Sequence, residues 1–412
     1  MKFTLKALLL LGTIAVTSNA ALADCGIASG SVRILSNDFD ALKIVAAAAE
    51  ECASANVKFS KNQTSEHKNL QVPALTSNPA QYTVAMVANN SVVPLLSGGL
   101  IRPLDDLVAK YGKDLEPNQL IKIDGKTMAI AFMANSQHLF YRKDLLDKTG
   151  IAPPKSYEDV LAAAKTLQEK GVIKYPLGAA DKAGWDLAAE FVNMYLGYGG
   201  EFFEPGSAKL TINNEKGKAT LATMLALTKF MSPDYLTYGA DELNKDFQGG
   251  KIAISNNWGS LAGAAVDAKV ANAEVVANTV FAGAPTVGGG TTPAAALWWD
   301  GFSIAKNISD EDAAASFQAM MHGIAPEVAA KNPSAATWLI KGYKPGPTAV
   351  GVIQTAAGGA KPYPMVPYMG LLHTALSTGL ADYIKGTQDA DKAMAGVEAA
   401  YNAAAKEGGF LK

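Results

Sequence analysis

The run Ser31-Val32-Arg33-Ile34-Leu35-Ser36 is β-prone and halts at Asn37-Asp38; residues 41–53 then place Leu42, Val45, Ala46, Ala49 and Cys52 on a helical period. Another β-prone run follows at 57–59, and a third at 82–87 ends in Ala88-Asn89-Asn90-Ser91. An apolar run, a polar stop and an amphipathic helix, repeated, constrain the chain to an α/β fold with an open, mostly parallel sheet covered by helices. Ligands of such sheets sit beyond the carboxyl ends of the strands, so Asn37, Asp38, Asn89, Asn90 and Ser91 are the first binding candidates.

The rest of the chain continues in the same style. The turn Asp124-Gly125-Lys126 leads into a strand at 127–132, and Ala134-Asn135-Ser136-Gln137-His138 precedes another at 139–141. A helix is predicted over 157–170, with Ser156 as N-cap, Asp159 completing a capping box and Gly171 as stop. Further helices are expected at 185–196 and 213–231. A strand at 252–255 opens onto Asn256-Asn257-Trp258-Gly259-Ser260, and the C-terminal third is mostly helical. At 412 residues the chain is long enough for two or three domains, and it shows no internal repeat.

The first residues set the compartment. Lys2 and Lys6 flank a short basic region, residues 7–16 are apolar, and Ala21-Leu22-Ala23 has the small-x-small form of a cleavage site. This reads as a secretory signal peptide over 1–23, cleaved after Ala23, and predicts an exported, soluble protein; the expected location is the periplasm and the expected state a monomer. Asp24 before Cys25 argues against lipid attachment at that cysteine. The only other cysteine is Cys52, and two cysteines in an exported chain suggest a disulfide, the alternative being two free thiols.

Several function classes fall away. Lys and Arg number 36 against 38 Asp and Glu, with only three arginines (Arg33, Arg102 and Arg142), which is no field for nucleic acid. Gly288-Gly289-Gly290 lacks a following Lys-Ser/Thr pair, no G-x-S-x-G elbow occurs, and no cofactor or metal motif is present. The histidines stand apart in sequence; His138, on a predicted strand rim, is the one assigned to the site.

The positive signal lies in the aromatics. Trp258, Trp298 and Trp299 fall at or beyond predicted strand ends beside Asn, Ser, Asp or Gly, and Trp185 follows Asp181-Lys182-Ala183-Gly184. A sugar offers a C–H face that stacks on an indole and a rim of hydroxyls that needs fixed polar partners, so this set fits a carbohydrate. Adjacent residues of a strand face opposite ways, so one of Trp298 and Trp299 is expected to be buried. Trp338, without polar neighbours, reads as structural.

These features, with Leu100-Ile101-Arg102-Pro103-Leu104-Asp105-Asp106-Leu107, the stretch from Asp124-Gly125-Lys126 to Asp144-Leu145-Leu146, Pro153-Pro154-Lys155-Ser156-Tyr157-Glu158-Asp159-Val160, and the 247–259 and 283–306 regions, resemble family 1 extracellular solute-binding proteins. These are the maltose-binding type, the exported component of bacterial ABC importers. The resemblance implies a two-lobed periplasmic-binding-protein fold of type II, no catalysis, and docking of the closed, liganded form on membrane permease subunits. It implies a first lobe of residues 24–135 with a returning segment near 290–340, and a second of 136–289 and 341–412. By position it assigns Trp258 as the stacking tryptophan, and Asn37, Asp38, Asn89, Asn90, Asn135 and Ser136 as first-lobe contacts. Trp185, Trp298, Trp299, Asp300 and Tyr368 fall in regions that reach the cleft. Ala134-Asn135 replaces an acidic position, and Met369-Gly370 stands where an aromatic is usual, which departs from the pattern for long glucans. The expected solute is therefore a neutral mono- or oligosaccharide or a polyol, the alternatives being an anionic sugar derivative and, more remotely, a carbohydrate-active enzyme.

Overall fold

The computed structural model describes residues 25–412, so the export segment and its cleavage point lie outside the described residues. The described residues contain β1 (Gly30–Ser36), β2 (Val57–Gln63), β3 (Val84–Ala88), β4 (Leu120–Ile123), β5 (Lys126–Asn135), β6 (Gln137–Arg142), β7 (Leu177–Ala179), β8 (Ile254–Trp258), β9 (Thr279–Ala282), β10 (Ala296–Ile304), β11 (Thr337–Trp338) and β12 (Lys361–Pro362). They form two sheets. One runs β11-β5-β10-β3-β1-β2, with β4 on β5 and β12 on β10; the other runs β7-β8-β6-β9.

The central strands β3, β5, β6 and β10 are buried on both faces, which is why they read as near-continuous apolar runs. In β3, Val84 and Met86 pack with Val32, Ile34 and Phe302 against the helices Asp40–Glu50 and Asp310–Gly323. Ala85 and Val87 of the same strand point the other way, toward Leu75, Val92 and Leu95. In β6, Leu139 and Tyr141 join the large helical core that includes Phe191, Leu372 and Tyr401, whereas Phe140 faces Phe247 and Phe281. The period-two alternation of strand side chains assigns each residue to its layer.

The expectation of mostly parallel sheets is corrected by the topology. β1 pairs in parallel with β2 and β3, but β10 runs antiparallel to β3 and β5, and β6 antiparallel to β8 and β9. A strand that arrives from the other sheet has no crossover helix to hold it parallel. The chain passes between sheets at Asn135-Ser136-Gln137, where β5 gives way to β6. It passes again between β9 and β10, and a third time after β11, where helix Val350–Ala357 packs on β9 and β6.

Local signals explain the framework. Ser156 caps helix Tyr157–Glu169: its Oγ accepts from Asp159 N at 3.1 Å, and the Asp159 carboxylate accepts from Ser156 N at 3.1 Å and Lys155 N at 3.0 Å. These backbone donors hold the Asp159 carboxyl below its usual range. Cys25 and Cys52 are joined by a disulfide with Cα atoms 5.5 Å apart, tying the start of β1 to the end of its helix. That bond consumes both sulfurs of Cys25, Cys52 and His322, the one grouping of potential metal ligands among the described residues.

Candidate functional site

The crossing point gathers the tryptophans. Trp258 ends β8 directly opposite Gln137, the first residue after the first crossing, and Trp298 sits in β10 opposite Asn135, the last residue before it. Trp185 opens helix Trp185–Gly197 after Gly184, whose φ of +114° is a conformation that a side chain would strain. The Trp185 ring stacks on Trp258, with centroids 6.2 Å apart and planes 29° apart, and lies 6.0 Å from Trp298; Trp258 meets Trp298 edge-on at 5.8 Å. Trp185 and Trp258 remain half-buried, whereas Trp298 is buried.

Two residues that sequence reasoning left out complete this box. Tyr363 stacks on Trp298 at 4.2 Å, and His373 stacks on Trp185 at 4.9 Å. His373 Nε2 lies 3.0 Å from the Trp185 carbonyl, which can only accept, so Nε2 carries the proton; Nδ1 then accepts from the Tyr363 hydroxyl at 3.1 Å. Burial lowers the His373 pKa to about 4, so the ring is neutral and this tautomer is fixed. His373 thus anchors Trp185 from behind.

The polar groups divide between framework and cleft. Asn135 Oδ1 accepts from Ser136 N at 3.0 Å and Ser260 N at 3.1 Å, and its Nδ2 donates to Ser260 Oγ at 3.1 Å. The loop after Trp258 is thereby stitched to the crossing. Asn89 Oδ1 accepts from Trp299 N at 2.8 Å and locks β3 to β10. Asn37 Oδ1 accepts from Asp38 N at 2.9 Å, and the exposed Asp38 carboxylate pairs with Lys43 at 2.7 Å. Asn90 Oδ1 and Trp298 Nε1 are buried without a protein partner. Asp300 lies at a β-bulge, where β10 shifts register between Asp300 and Gly301; a Cβ on Gly301 would come within 2.2 Å of Ile130 O, so glycine is required.

Three assignments are corrected. His138 is wholly buried in the second-sheet layer, between Phe140 at 4.8 Å and Phe281 at 6.1 Å, and a Cβ on Gly351 would fall 2.1 Å from its Nδ1. It faces helix Val350–Ala357 rather than the cleft, and burial lowers its pKa to about 4. Tyr368 packs edge-on against Phe203 at 4.7 Å and Phe410 at 5.8 Å, whereas the ring stacked on Trp298 is the buried Tyr363. Ser136 is fully buried within the crossing, where its carbonyl accepts from Gly259 N at 2.9 Å, so it braces the site without facing it. Of the adjacent pair, Trp298 joins the second-sheet core, and Trp299 packs on the opposite layer with Ala74, Leu75 and Val92. Trp338 is buried, and its Nε1 donates to Asn332 O at 2.8 Å.

Carboxyls surround the aromatic box. Burial raises the Asp300 pKa to about 7 and the Asp186 pKa to about 6; the Lys68 charge pulls Asp300 back down, and Lys182 with Lys68 does the same for Asp186. Behind them, Asp181 is raised to about 7 and Glu190 well above its usual range, again by burial. Glu190 Oε2 accepts from Asn256 Nδ2 at 3.3 Å, and Gln137 Oε1 accepts from Asn193 and Asn256 at 2.8 and 2.9 Å. Lys68, on helix His67–Thr76 beyond β2, reaches across and places Nζ 4.4 Å from the Trp185 ring centroid. It follows a strand end, the signal that marked Asn37 and Asn89. The three arginines, by contrast, are engaged elsewhere: Arg33 with Gln81 O and Asp312, Arg102 with Asp310 and three backbone carbonyls, and Arg142 with Asp144.

A family model described as bacterial extracellular solute-binding protein matches residues 38–321. A probable ABC transporter-binding protein of Deinococcus radiodurans is 27% identical over 181 residues, which are 40% of this chain and 43% of that one; the chain therefore aligns with less than half the length of this relative. Among solved structures, maltose-bound T. maritima MalE3 has a TM-score of 0.79 at 16% identity, covering 91% of this chain and 100% of that one. A solute-binding protein from Agrobacterium vitis S4 with bound D-mannitol has a TM-score of 0.76 at 20% identity, covering 93% and 100%.

Proposed function

This chain belongs to the bacterial extracellular solute-binding proteins, and from that premise we propose that it captures a neutral carbohydrate, a mono- or oligosaccharide or a polyol, and delivers it to the permease subunits of an ABC importer. Family membership makes it an exported protein that binds rather than transforms its solute. The finer reading is a periplasmic monomer released by cleavage after Ala23. We assign residues 24–135 and about 290–340 to one lobe, and 136–289 with 341–412 to the other.

One observation carries the carbohydrate reading: the half-buried faces of Trp185 and Trp258 stand at the crossing between the two sheets, beside Asp186 and Asp300. Indole faces suit the C–H side of a sugar ring, and carboxylates accept from hydroxyls in bonds stronger than those to neutral acceptors. Asn90 Oδ1 and Trp298 Nε1 offer a further acceptor and donor that no protein group uses. The relatives with bound maltose and D-mannitol are consistent with this ligand class. Binding would proceed by closure, because a solute that contacts both lobes favours the closed form over the open one.

The test is to identify by mass spectrometry the solute that co-purifies, and then to screen sugars and polyols by thermal shift. A neutral carbohydrate is expected to raise the melting temperature and to be recovered intact. Stabilisation by none of them, or turnover of any, would reject the reading. A second reading, an anionic sugar derivative, draws on the Lys68 ammonium at the same place.

A further inference from the structure

Lys68 comes from the first-sheet side of the cleft, yet its ammonium covers the face of Trp185, which belongs to the other side. The charges of Asp300 and Asp186 act on it favourably, while burial lowers its pKa; the neutral His67 and His373 are the other titratable groups within reach of its charge. An ammonium over an indole, in the field of two acidic side chains, already satisfies that ring face. The site therefore already holds a guest, and the guest is part of the chain.

The geometry points to Lys68 as the residue that sets the charge selectivity of the site: it stands in for the solute, and a solute displaces it only by bringing donors to Asp186 and Asp300. This rests on the carbohydrate reading and extends it. A ring stacking on Trp185 must occupy the space now held by Nζ, and when Lys68 leaves, Asp300 loses its cation and Asp186 keeps only Lys182. Hydroxyls of a neutral sugar or polyol, or a protonated amino group, can replace it. A sugar acid or sulfonated sugar would bring a further negative charge beside these acidic groups, to a place where no guanidinium is free to meet it. The plugged form is also incompetent to bind, so its population lowers the apparent affinity for every solute.

The test uses Lys68→Gln and, as the conservative control, Lys68→Arg, whose planar cation still stacks on an indole. Calorimetry with D-mannitol, D-glucose, protonated D-glucosamine and D-glucuronate is run on all three proteins. Lys68→Gln is expected to tighten the neutral and amine-bearing solutes about three- to tenfold, Lys68→Arg to leave them near wild type, and glucuronate to be refused by wild type. Binding of glucuronate above glucose, lost in Lys68→Gln, would overturn the proposal by making Lys68 a counter-ion. A severalfold weakening of neutral sugars in Lys68→Gln would overturn it too. If none of the four binds to any form, the probe is the tryptophan emission of the ligand-free proteins. A shift in Lys68→Gln that Lys68→Arg restores supports the plug and leaves the fault with the choice of carbohydrate, whereas an unchanged spectrum overturns the plug.

Discussion

The two sides of the cleft are built on opposite principles. The first-sheet side contributes loop and helix-start residues, Asn37, Asp38, Lys68 and Asn90, each carried on a short segment after a strand. The second-sheet side contributes rings braced from behind, Trp185 by His373 and Trp258 by Trp185, while the buried Trp298 reaches into the same core from β10 of the first sheet and stacks on Tyr363. A side chain on a strand-end loop adapts to its partner, whereas a ring wedged into a core presents one fixed surface. In the proposed site the rings would set position and shape, Asn37, Asp38 and Asn90 would supply polar contacts, and Lys68 would withdraw.

The largest expected effect tests whether the first lobe depends on its staple. The disulfide closes a separation of 27 residues, and its removal by Cys25→Ser with Cys52→Ser is expected to cost about 2–4 kcal/mol. Denaturant unfolding read through Trp338 emission would show the first-lobe transition moving to lower denaturant. If the transition reported by the cleft tryptophans moves equally, the lobes unfold as one unit and the contrast between them is not energetic. Next in size, Trp258→Ala is expected to weaken solute binding by about 2 kcal/mol or more by calorimetry, and Asn37→Ala by less than about 1 kcal/mol. Equal losses would erase the distinction between fixed and adaptable sides.

Legibility in the sequence followed the same divide. The polar stops after β1 and β3 are local signals, and Asn37, Asp38, Asn89 and Asn90 do follow the ends of those strands, because strand ends can be read within ten residues. The box could be read only in part. Trp185, Trp258 and Trp298 each had polar neighbours, but Tyr363 and His373 lie in segments with no such company and join the site through tertiary packing alone. His138 misled because its polar surroundings suggest a rim, whereas β6 is covered on both faces and Gly351 leaves the space its ring fills. Mixed sheet direction was hidden for a related reason: nothing local in residues 296–304 records that the strand arrives from the other sheet.

The pH response is expected to localise to the second-sheet side and the crossing, where the raised carboxyls Asp181, Asp186, Glu190 and Asp300 lie. A carboxyl whose native pKa is raised binds a proton that the unfolded chain has already released, so these groups stabilise the fold as pH falls from 8 toward 6. The gain is on the order of 1–2 kcal/mol over that interval. Below about 6.5 the histidines oppose it, because His67, His138 and His373 are held neutral down to about 4 while unfolded histidines take up protons. The melting temperature should therefore rise from pH 8 to about 6.5 and then flatten, with Asp181→Asn reducing the rise. A melting temperature that increases steadily toward pH 8 would contradict the buried carboxyls.

The smallest expected change in stability is the sharpest local control. Ser156 satisfies one orphan amide of helix Tyr157–Glu169, and Asp159 satisfies the amide of Ser156 in return, so Ser156→Ala removes one bond of a reciprocal pair. The expected cost is about 1 kcal/mol of second-lobe stability, since the cap is exposed and water can replace part of the bond. The helix packs through Tyr157, Val160 and Leu167 into the core that also holds Phe191 and Leu372, on the helices that carry Trp185 and His373. If that core is as rigid as the bracing of the rings implies, the variant will melt earlier but bind solute with unchanged affinity. A loss of affinity in step with the loss of stability would mean instead that the ring faces are held by the whole lobe rather than by their immediate neighbours, and the fixed side of the cleft would be softer than its contacts suggest.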